Sequence, residues 1–332
     1  MLDRTISVAP MMGCTDRHFR YLLRMISPHA LLYTEMVVTG ALIHGNAGQF
    51  LAHEKDGPCA LQLGGSNPSD LATCARMAED AGYQEVNLNV GCPSDRVQYG
   101  SIGACLMAEP ALVGDCLATM RDAVRIPVTV KSRIGIDDHD DYEYFHRFIE
   151  TVQAAGTDVF IVHARKAILR GLSPRENRQI PPLKYDFVYR AQADFPAATF
   201  VLNGGIDNVE TALTELSRVD GVMLGRAPYA NPWLLADLEQ ALHGTAYPTN
   251  TDRLRILAEY RNYVDAEIAK GENFKHMGRH LLGYFTGYPG ARAFRRYLSE
   301  HMFKNTAPAS LIDDALLASG LVRSDSQLPT GT

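Results

Sequence analysis

The sequence predicts an α/β fold, a (β/α)8 TIM barrel followed by a small C-terminal bundle of helices. Short β-like runs alternate with helical segments over about 240 residues, the pattern of eight β/α units. The alternative is an open doubly wound sheet, but Pro10-Met11-Met12-Gly13 after the first strand lacks its G-x-G-x-x-G turn. The predicted strands are Thr5–Ala9, Leu32–Met36, Ala60–Leu63, Glu85–Asn89, Val128–Lys131, Val159–His163, Phe200–Asn203 and Gly221–Leu224.

The helices between the strands carry recognisable end signals. Three are predicted at Pro68–Ala81, Pro110–Val124 and Tyr142–Ala155. Asn67 precedes the proline of the first, and Gly82 follows it. Proline is favoured in the first turn of a helix and glycine just after the last, so both ends of this helix are well marked.

Strand signals stop after residue 245. Helical segments are predicted at about 250–270, 274–286, 289–303 and 308–318, with Pro308 opening the last and Gly320 closing it. We therefore expect a barrel domain at 1–245, a helical domain at 246–321 and a flexible tail at 322–332.

Composition excludes several classes of protein. The chain has 332 residues and a net charge of −6, and no run of about 18 apolar residues marks a membrane span. None of the six cysteines forms a C-x-x-C pair or a zinc-spaced cluster, so free thiols, a cytoplasmic location and no metal are expected. Residues 1–245 hold 21 Lys+Arg against 29 Asp+Glu, whereas residues 246–332 hold 11 against 9.

Polar residues gather at the carboxyl ends of the predicted strands, where the active site of such a barrel lies. Any one of them could be a buried polar group that is satisfied by its neighbours, but together they predict one site. Reading the strand ends in order gives Pro10-Met11, Glu35-Met36, Gln62, Asn89 with Cys92, Lys131 with Arg133, His163, Asn203-Gly204-Gly205 and Gly225-Arg226.

The last two strand ends predict a phosphate site. Asn203-Gly204-Gly205 and Gly225-Arg226 follow strands seven and eight, where barrels bind phosphate with backbone N–H groups and a short helix N-terminus. Asp207-Asn208 is placed to cap that helix, and Arg226 adds a cation. The alternative is two glycine turns without chemical significance.

The stretch Asn87-Leu88-Asn89-Val90-Gly91-Cys92-Pro93 is the most unusual of these ends. A core strand would continue with apolar residues, whereas this one changes to amides and a thiol. Small residues follow between Ser94 and Leu106. We predict a catalytic cysteine on a mobile loop beside a planar ligand; the alternative is a buried, inert cysteine.

The motifs resemble those of the tRNA-dihydrouridine synthases over nearly the whole chain. Two further stretches, Leu172–Arg178 and Gly290–Tyr297, resemble the A subfamily. The family motifs, in order, are Ala9-Pro10-Met11, Gln62-Leu63-Gly64, Asn87–Pro93, Val130-Lys131-Ser132-Arg133, Val162-His163-Ala164-Arg165 and Asn203-Gly204-Gly205-Ile206.

The resemblance implies an enzyme that holds FMN, uses NADPH (or NADH) as reductant and reduces uridine 20, and also 20a, of the tRNA D-loop. Cys92 is then the proton donor at C5 of the base, since an ordinary thiol is mostly protonated near neutral pH. Cys105 is its competitor. The flavin contacts implied are Pro10, Met11, Met12, Gln62, Lys131, His163, Asn203, Gly204, Gly205, Gly225 and Arg226.

For the tRNA, the resemblance implies contacts from Asn89 to the base and from four arginines to the phosphates: Arg175, Arg178, Arg292 and Arg295. The last two, with Arg296, share a helix face if that segment is helical. The target uridine must be flipped out of its stack to reach a barrel mouth. The alternative for the arginines is a solvated helix face.

Two other functions stay open at this point. A flavin barrel acting on a free pyrimidine would share the cofactor and the thiol but would not need the arginines. A tRNA-binding protein without catalysis would carry no flavin. With any of these we expect no membrane association, no obligate protein partner and a monomer.

Overall fold

The computed structural model describes residues 2–53, 56–94, 100–246, 249–304 and 306–322. The chain packs as two compact units: Met1–Arg17 with His29–Gly225, and His18–Pro28 with Arg226–Thr332. Most of the predicted tail (322–332) and part of the predicted loop after Cys92 lie outside the described residues. Division by packing does not test the predicted functional domains, 1–245 and 246–321, which stay predictions.

The first unit is a closed barrel of eight parallel strands in sequence order, which confirms the predicted fold. Each strand pairs with the next, and β8 pairs with β1. The strands are β1 (Ile6–Val8), β2 (Leu31–Val38), β3 (Cys59–Gly64), β4 (Glu85–Val90), β5 (Val128–Arg133), β6 (Val159–His163), β7 (Thr199–Asn203) and β8 (Gly221–Leu224).

Helices alternate with these strands, and polar caps start several of them. Asn67 accepts a hydrogen bond from the backbone N–H of Asp70 at 3.0 Å, and Asn208 accepts one from Thr211 at 2.8 Å, as predicted for both ends. The helices are α1 (Arg17–Ile26), α2 (Thr39–His44), α3 (Ala47–Leu51), α4 (Pro68–Asp80), α5 (Pro110–Ala123), α6 (Tyr142–Ala154), α7 (Tyr185–Asp194) and α8 (Val209–Leu216), with 3₁₀ helices at Gly103–Ala108 and Glu176–Arg178.

Strand β4 is unlike its neighbours inside the barrel. The interior is mainly apolar, with a buried cluster of Ala9, Leu31, Tyr33, Ala60, Ile161, Val201 and Met223. Glu85, Asn87 and Asn89 alternate with Val86, Leu88 and Val90, and all six are buried. Since side chains alternate along a strand, the three polar residues share one face, and Glu85 contacts Tyr33 of the interior cluster.

The second unit is helical, as predicted for the C-terminal segment. Its helices are α9 (Arg226–Ala230), α10 (Leu234–His243), α11 (Asn250–Ala269), α12 (Phe274–Gly278), α13 (Ala291–His301) and α14 (Leu311–Ser319). The predicted helix 274–286 is wrong in its second half, where a 3₁₀ helix, Arg279–Gly283, replaces it. Glycines at 278 and 283 weaken an α-helix there. The last helix begins at Leu311 rather than at Pro308, and Gly320 ends it with φ of +70°.

The residues of α1 from His18 onwards pack within the second unit. Phe19 is fully buried against the rings of Tyr229 and His280. Tyr21 stacks on Tyr263 with ring centroids 4.0 Å apart. The predicted barrel domain, 1–245, includes this helix. Its aromatic partners lie more than 200 residues further along the chain, so no local signal connects them. In the described part of the chain, no helix has the length and apolarity needed to cross a bilayer.

Candidate active site

The strand register brings four of the predicted residues to one rim. Asn89 lies opposite Lys131 between β4 and β5, and His163 lies opposite Asn203 between β6 and β7. The Nζ atom of Lys131 donates to Oδ1 of Asn203 at 2.9 Å, across 72 residues of sequence. The predicted cluster at the carboxyl ends of the strands is therefore a real group of neighbours.

The surroundings of Lys131 disfavour the charged form of its amine. Burial, and then the neighbouring Arg133 guanidinium, lower the pKa of Lys131 from 10.5 to about 7, against an opposite influence of Cys92. An amine in this state gains much from a negative charge brought beside it. The rim is therefore prepared for an anionic or electron-rich group.

His163 stands in the same cationic surroundings. Burial, and then Arg133, Lys131, Arg165 and Arg178, hold the pKa of His163 well below its usual value of 6.5. The imidazole is neutral near pH 7, so it can both donate and accept a hydrogen bond.

Two glycines follow β7 next to that imidazole. Gly204 has φ of +113° and Gly205 has φ of +73°, values that L residues rarely adopt. A β-carbon on Gly204 would lie 2.6 Å from Cδ2 of His163, and one on Gly205 would lie 2.6 Å from a methyl carbon of Leu183. Only glycine fits at either position.

The turn at Cys92 is held on three sides. Oδ1 of Asn89 accepts from the backbone N–H of Gly91 at 3.1 Å and of Cys92 at 3.0 Å. The carbonyl of Cys92 accepts from the N–H of Ala104 at 2.9 Å. The carbonyl of Gly91 accepts from Nε of Arg133 at 3.1 Å. The thiol itself is only partly buried, on backbone that is fixed around it.

Arg133 was recognised in the sequence as a rim residue but not as part of this turn. Its guanidinium is buried and also donates to the carbonyls of Lys166 and Asn177, at 3.3 and 3.0 Å. Lys131 and Arg133 are two residues apart on one strand and so share a face, which was the available signal. The carbonyl partners, 33 to 44 residues away, are not visible in the sequence.

Cys105, the competing candidate for the proton donor, has a different environment. Its thiol donates to the carbonyl of Ile102 at 3.2 Å within the 3₁₀ helix. Burial, and more weakly Glu109, raises the pKa of Cys105 above its usual value. Cys92, by contrast, lies near enough to Lys131 and Arg133 to oppose the lowering of the pKa of each.

The remaining predicted flavin contacts are placed unevenly. Met11 is partly buried and packs on the interior cluster of the barrel, whereas the Met12 side chain is 67% exposed. Gln62 is buried between Asn87 and Asn89. Gly225 ends the first unit and Arg226 begins the second, so their predicted part in a phosphate site stays a prediction.

The four predicted tRNA-contacting arginines are all exposed. Arg175 and Arg178 flank the buried Asn177, whose side chain fixes the local loop through hydrogen bonds with Ile168, Leu172 and Ser173. Arg292 and Arg295 lie on α13, and Nε of Arg295 donates to the carbonyl of Leu282 at 2.8 Å. Each pair is thus carried on an ordered segment of its own unit.

Comparison with known proteins finds similarity over most of the chain. Residues 7–319 match the family model described as dihydrouridine synthase (Dus). A protein of Pseudomonas syringae pv. tomato is 56% identical over 315 residues, covering 95% of this chain and 94% of that protein. A protein of Shewanella oneidensis is 53% identical over 311 residues (94% and 92%), and one of Escherichia coli K12 is 53% identical over 312 residues (93% and 90%). All three are named tRNA-dihydrouridine(20/20a) synthase.

Proposed function

The chain belongs to the dihydrouridine synthase family, and on that premise we propose that it reduces the C5=C6 bond of uridine 20, and also 20a, in the D-loop of tRNA. FMN carries the hydride, and NADPH (or NADH) is the reductant. The observation that carries the proposal is a partly exposed Cys92, on a turn that Asn89 and Arg133 fix by hydrogen bonds at the rim that holds Lys131. The full-length similarity to relatives named for this substrate supports the same conclusion.

The donor set at the rim suits FMN. The positive φ values of Gly204 and Gly205 suit a turn whose backbone N–H groups approach a phosphate closely. The depressed pKa of Lys131 suits an electron-rich ring edge beside the amine. Gln62, Met11, His163 and Asn203 are the other residues proposed to hold the cofactor, with Pro10, Met12, Gly225 and Arg226.

The chemistry divides between cofactor and protein. FMN, when bound at this rim and reduced by NADPH, would supply the hydride for C6 of uracil. Cys92 holds the proton that C5 then needs, and the fixed turn keeps that thiol at one place on the rim. A negative charge beside Lys131 would favour the protonated amine, and the protonated amine would stabilise that charge.

Asn89 has less freedom to read the base than its residue type suggests. Its carbonyl oxygen already accepts two backbone N–H groups, and one N–H of its amide is bonded to Gln62 at 2.8 Å. One N–H is left to donate to an acceptor on the base. Asn89 therefore combines a substrate contact with support of the Cys92 turn.

The arginines are proposed to hold the rest of the tRNA. The target base has to be flipped out of its stack to reach a thiol at the barrel mouth. Arg175, Arg178, Arg292 and Arg295 are exposed guanidinium groups that can grip phosphates bidentately. Residues 1–245 then form the catalytic domain and 246–321 a tRNA-binding domain. We propose a monomer that works in the cytoplasm without an obligate protein partner.

The test uses the purified full-length chain, its visible spectrum and tRNA transcripts that lack dihydrouridine. With NADPH, mass spectrometry should find two mass units added at uridine 20 and then at 20a, and the protein should be yellow. Free uridine at the same concentration should react far more slowly. If NADPH reduces the flavin but tRNA does not reoxidise it, the proposed substrate is wrong. If the purified protein is colourless, the proposed cofactor is wrong.

A further inference from the structure

A continuous line of side-chain hydrogen bonds runs through the barrel from Glu85 to the Cys92 turn. We call it the β4 polar line. Its members come from three adjacent strands, β3, β4 and β5. The hydroxyl of Thr129 donates to Oε1 of Glu85 at 2.7 Å, Nδ2 of Asn87 donates to Thr129 at 2.9 Å, Nε2 of Gln62 donates to Oδ1 of Asn87 at 2.8 Å, and Nδ2 of Asn89 donates to Oε1 of Gln62 at 2.8 Å.

The carboxylate at the start of the line fixes its direction. An ionised Glu85 can only accept, so the Thr129 hydroxyl must donate to it and can only accept from Asn87. The carbonyl of Asn87 then has to face the amide nitrogen of Gln62. By the same logic the carbonyl of Gln62 faces the nitrogen of Asn89. The carbonyl of Asn89 is left for the N–H groups of Gly91 and Cys92.

Both carboxylate oxygens of Glu85 accept hydrogen bonds from neighbouring side chains. Nε of Arg4 donates to Oε2 of Glu85 at 3.0 Å, and the hydroxyl of Tyr33 donates to Oε1 at 2.6 Å. Burial, and then Glu85, raises the pKa of Tyr33 well above its usual value, so this hydroxyl stays a donor. With Nη2 of Arg4 and the hydroxyl of Thr129, the buried carboxylate accepts four hydrogen bonds, two on each oxygen, and has the Arg4 guanidinium as its cationic partner.

Burial makes the direction strict. Glu85, Asn87 and Thr129 are fully buried, and Gln62 is 1% exposed. Flipping one amide would set donor against donor and acceptor against acceptor, and would leave buried polar groups without hydrogen-bond partners. All hydrogen bonds of the line therefore point the same way, and this fixes the orientation of the Asn89 amide at its end.

Packing alone does not account for the β4 polar line. The interior cluster takes residues from β2, β3, β6, β7 and β8, together with Ala9 just after β1, so most of the barrel interior is filled by largely apolar side chains. Apolar residues of similar volume are often as stable as buried charges, or more so. The polar face belongs to β4, the strand that leads into the Cys92 turn.

We propose that Glu85 and Thr129 are positioning residues for Cys92, acting through Asn87, Gln62 and Asn89 to set the conformation of its turn. The inference rests on the proposed function for its consequence in tRNA reduction. Its consequence for the Cys92 thiol does not depend on what the substrate is.

Thr129→Val is the sharpest test, because it replaces the hydroxyl by a methyl group of similar size. Asn87 then loses the acceptor that orients its amide. With prereduced enzyme at saturating tRNA, flavin reoxidation should slow by about tenfold or more, while flavin content and reduction by NADPH are retained. Without tRNA, alkylation of Cys92 by iodoacetamide should become severalfold faster relative to Cys105, because the turn is loosened.

Two variants separate positioning from packing. Thr129→Ser keeps the hydroxyl and should restore both the reoxidation rate and the slow alkylation. Ser7→Ala removes another buried hydroxyl, which donates to the carbonyl of Val222 at 3.3 Å outside the β4 polar line. It should leave both readouts at wild-type values.

Wild-type reoxidation and wild-type Cys92 alkylation in Thr129→Val would overturn the inference, as would a Thr129→Ser enzyme that is equally impaired. If Thr129→Val does not fold, Thr129→Ala replaces it, since it removes the hydroxyl without placing a methyl group beside Asn87. If wild-type enzyme fails to reduce tRNA, the proposed function fails, and the alkylation rates still decide whether Thr129 positions Cys92.

Discussion

The surroundings of Cys92 and those of the exposed arginines differ in burial and in hydrogen bonding. Around Cys92, side chains from β3, β4 and β5 are buried and each amide or guanidinium has assigned partners. Arg175, Arg178 and Arg292 instead extend into solvent from ordered segments. A buried, fully bonded group can hold one geometry, whereas an exposed cation supplies attraction that tolerates many geometries.

This difference predicts a separation of effects. Changes near Cys92 should alter the rate of the chemical step and leave tRNA affinity nearly intact. Changes at the arginines should alter affinity and its salt dependence and leave the reaction of bound tRNA nearly intact. The variants below test that separation.

Cys92→Ala should have the largest effect. Removing a general acid typically costs about 10²–10⁴-fold in rate, so dihydrouridine formation in saturating tRNA should fall by that factor. Cys92→Ser should match it or fall between it and wild type. The rate is measured by mass spectrometry of tRNA sampled over time. A loss that higher tRNA concentration overcomes would assign Cys92 to binding and break the separation.

Lys131→Met should weaken flavin binding by about 10–100-fold. A hydrogen bond to a charged group contributes about 1.5–3 kcal/mol, and losing it would lower the affinity by about that factor. Titration of flavin-free protein with FMN measures it. Unchanged flavin affinity and unchanged reduction by NADPH would show that the Lys131 amine does not meet the flavin.

The same variant makes a pH prediction. The pKa of Lys131 is about 7 when folded and the ordinary 10.5 when unfolded. Between these values the unfolded chain binds more protons, so the stability of the flavin-free protein rises as pH increases through that window. Urea unfolding from pH 7 to pH 9 should show a smaller rise in Lys131→Met than in wild type. Parallel curves for the two proteins would contradict this.

The arginine variants should have smaller effects on a different quantity. Replacing Arg175 and Arg178 together, or Arg292 and Arg295 together, by alanine should weaken tRNA binding by about tenfold and flatten its dependence on salt by about two ions. Flavin reduction by NADPH should not change. Arg76 and Arg147, exposed on α4 and α6, form the matched control pair. An equal loss in that control would mean that only net charge matters.

Cys105→Ala should have the smallest effect. Its thiol is bonded to the carbonyl of Ile102, and the raised pKa of Cys105 makes it a poorer proton donor than an ordinary thiol. Dihydrouridine formation should stay within about threefold of wild type, the usual range for a residue outside the reacting group. A loss as large as that of Cys92→Ala would exchange the roles of the two cysteines.

The sequence was sufficient to predict the barrel fold and the group of polar residues at its rim. Strand ends and capping residues are local signals, and parallel closure brings the strand ends together whatever their exact register. Lys131, His163 and Asn203 were therefore found as a group. Helix ends were less secure: the final helix begins at Leu311 because Pro308 is followed by a turn rather than by helix.

The supporting contacts could not be found in the same way. Thr129 joins Asn87 only because these two residues are register partners between β4 and β5, and nothing local in the sequence states that register. Arg133 reaches the carbonyls of Gly91 and Asn177 only across the folded structure. The period of two in Glu85, Asn87 and Asn89 was the one visible sign that β4 carries a polar face.

The most direct test of Cys92 as proton donor is a single turnover. Wild type, Cys92→Ala and Cys105→Ala are reduced with NADPH without oxygen, mixed with saturating tRNA, and followed by the flavin spectrum. We expect all three to reduce normally, and Cys92→Ala alone to reoxidise slowly, by about 10²–10⁴-fold. A Cys92→Ala enzyme that reoxidises at the wild-type rate would contradict the account and show that another group delivers the proton.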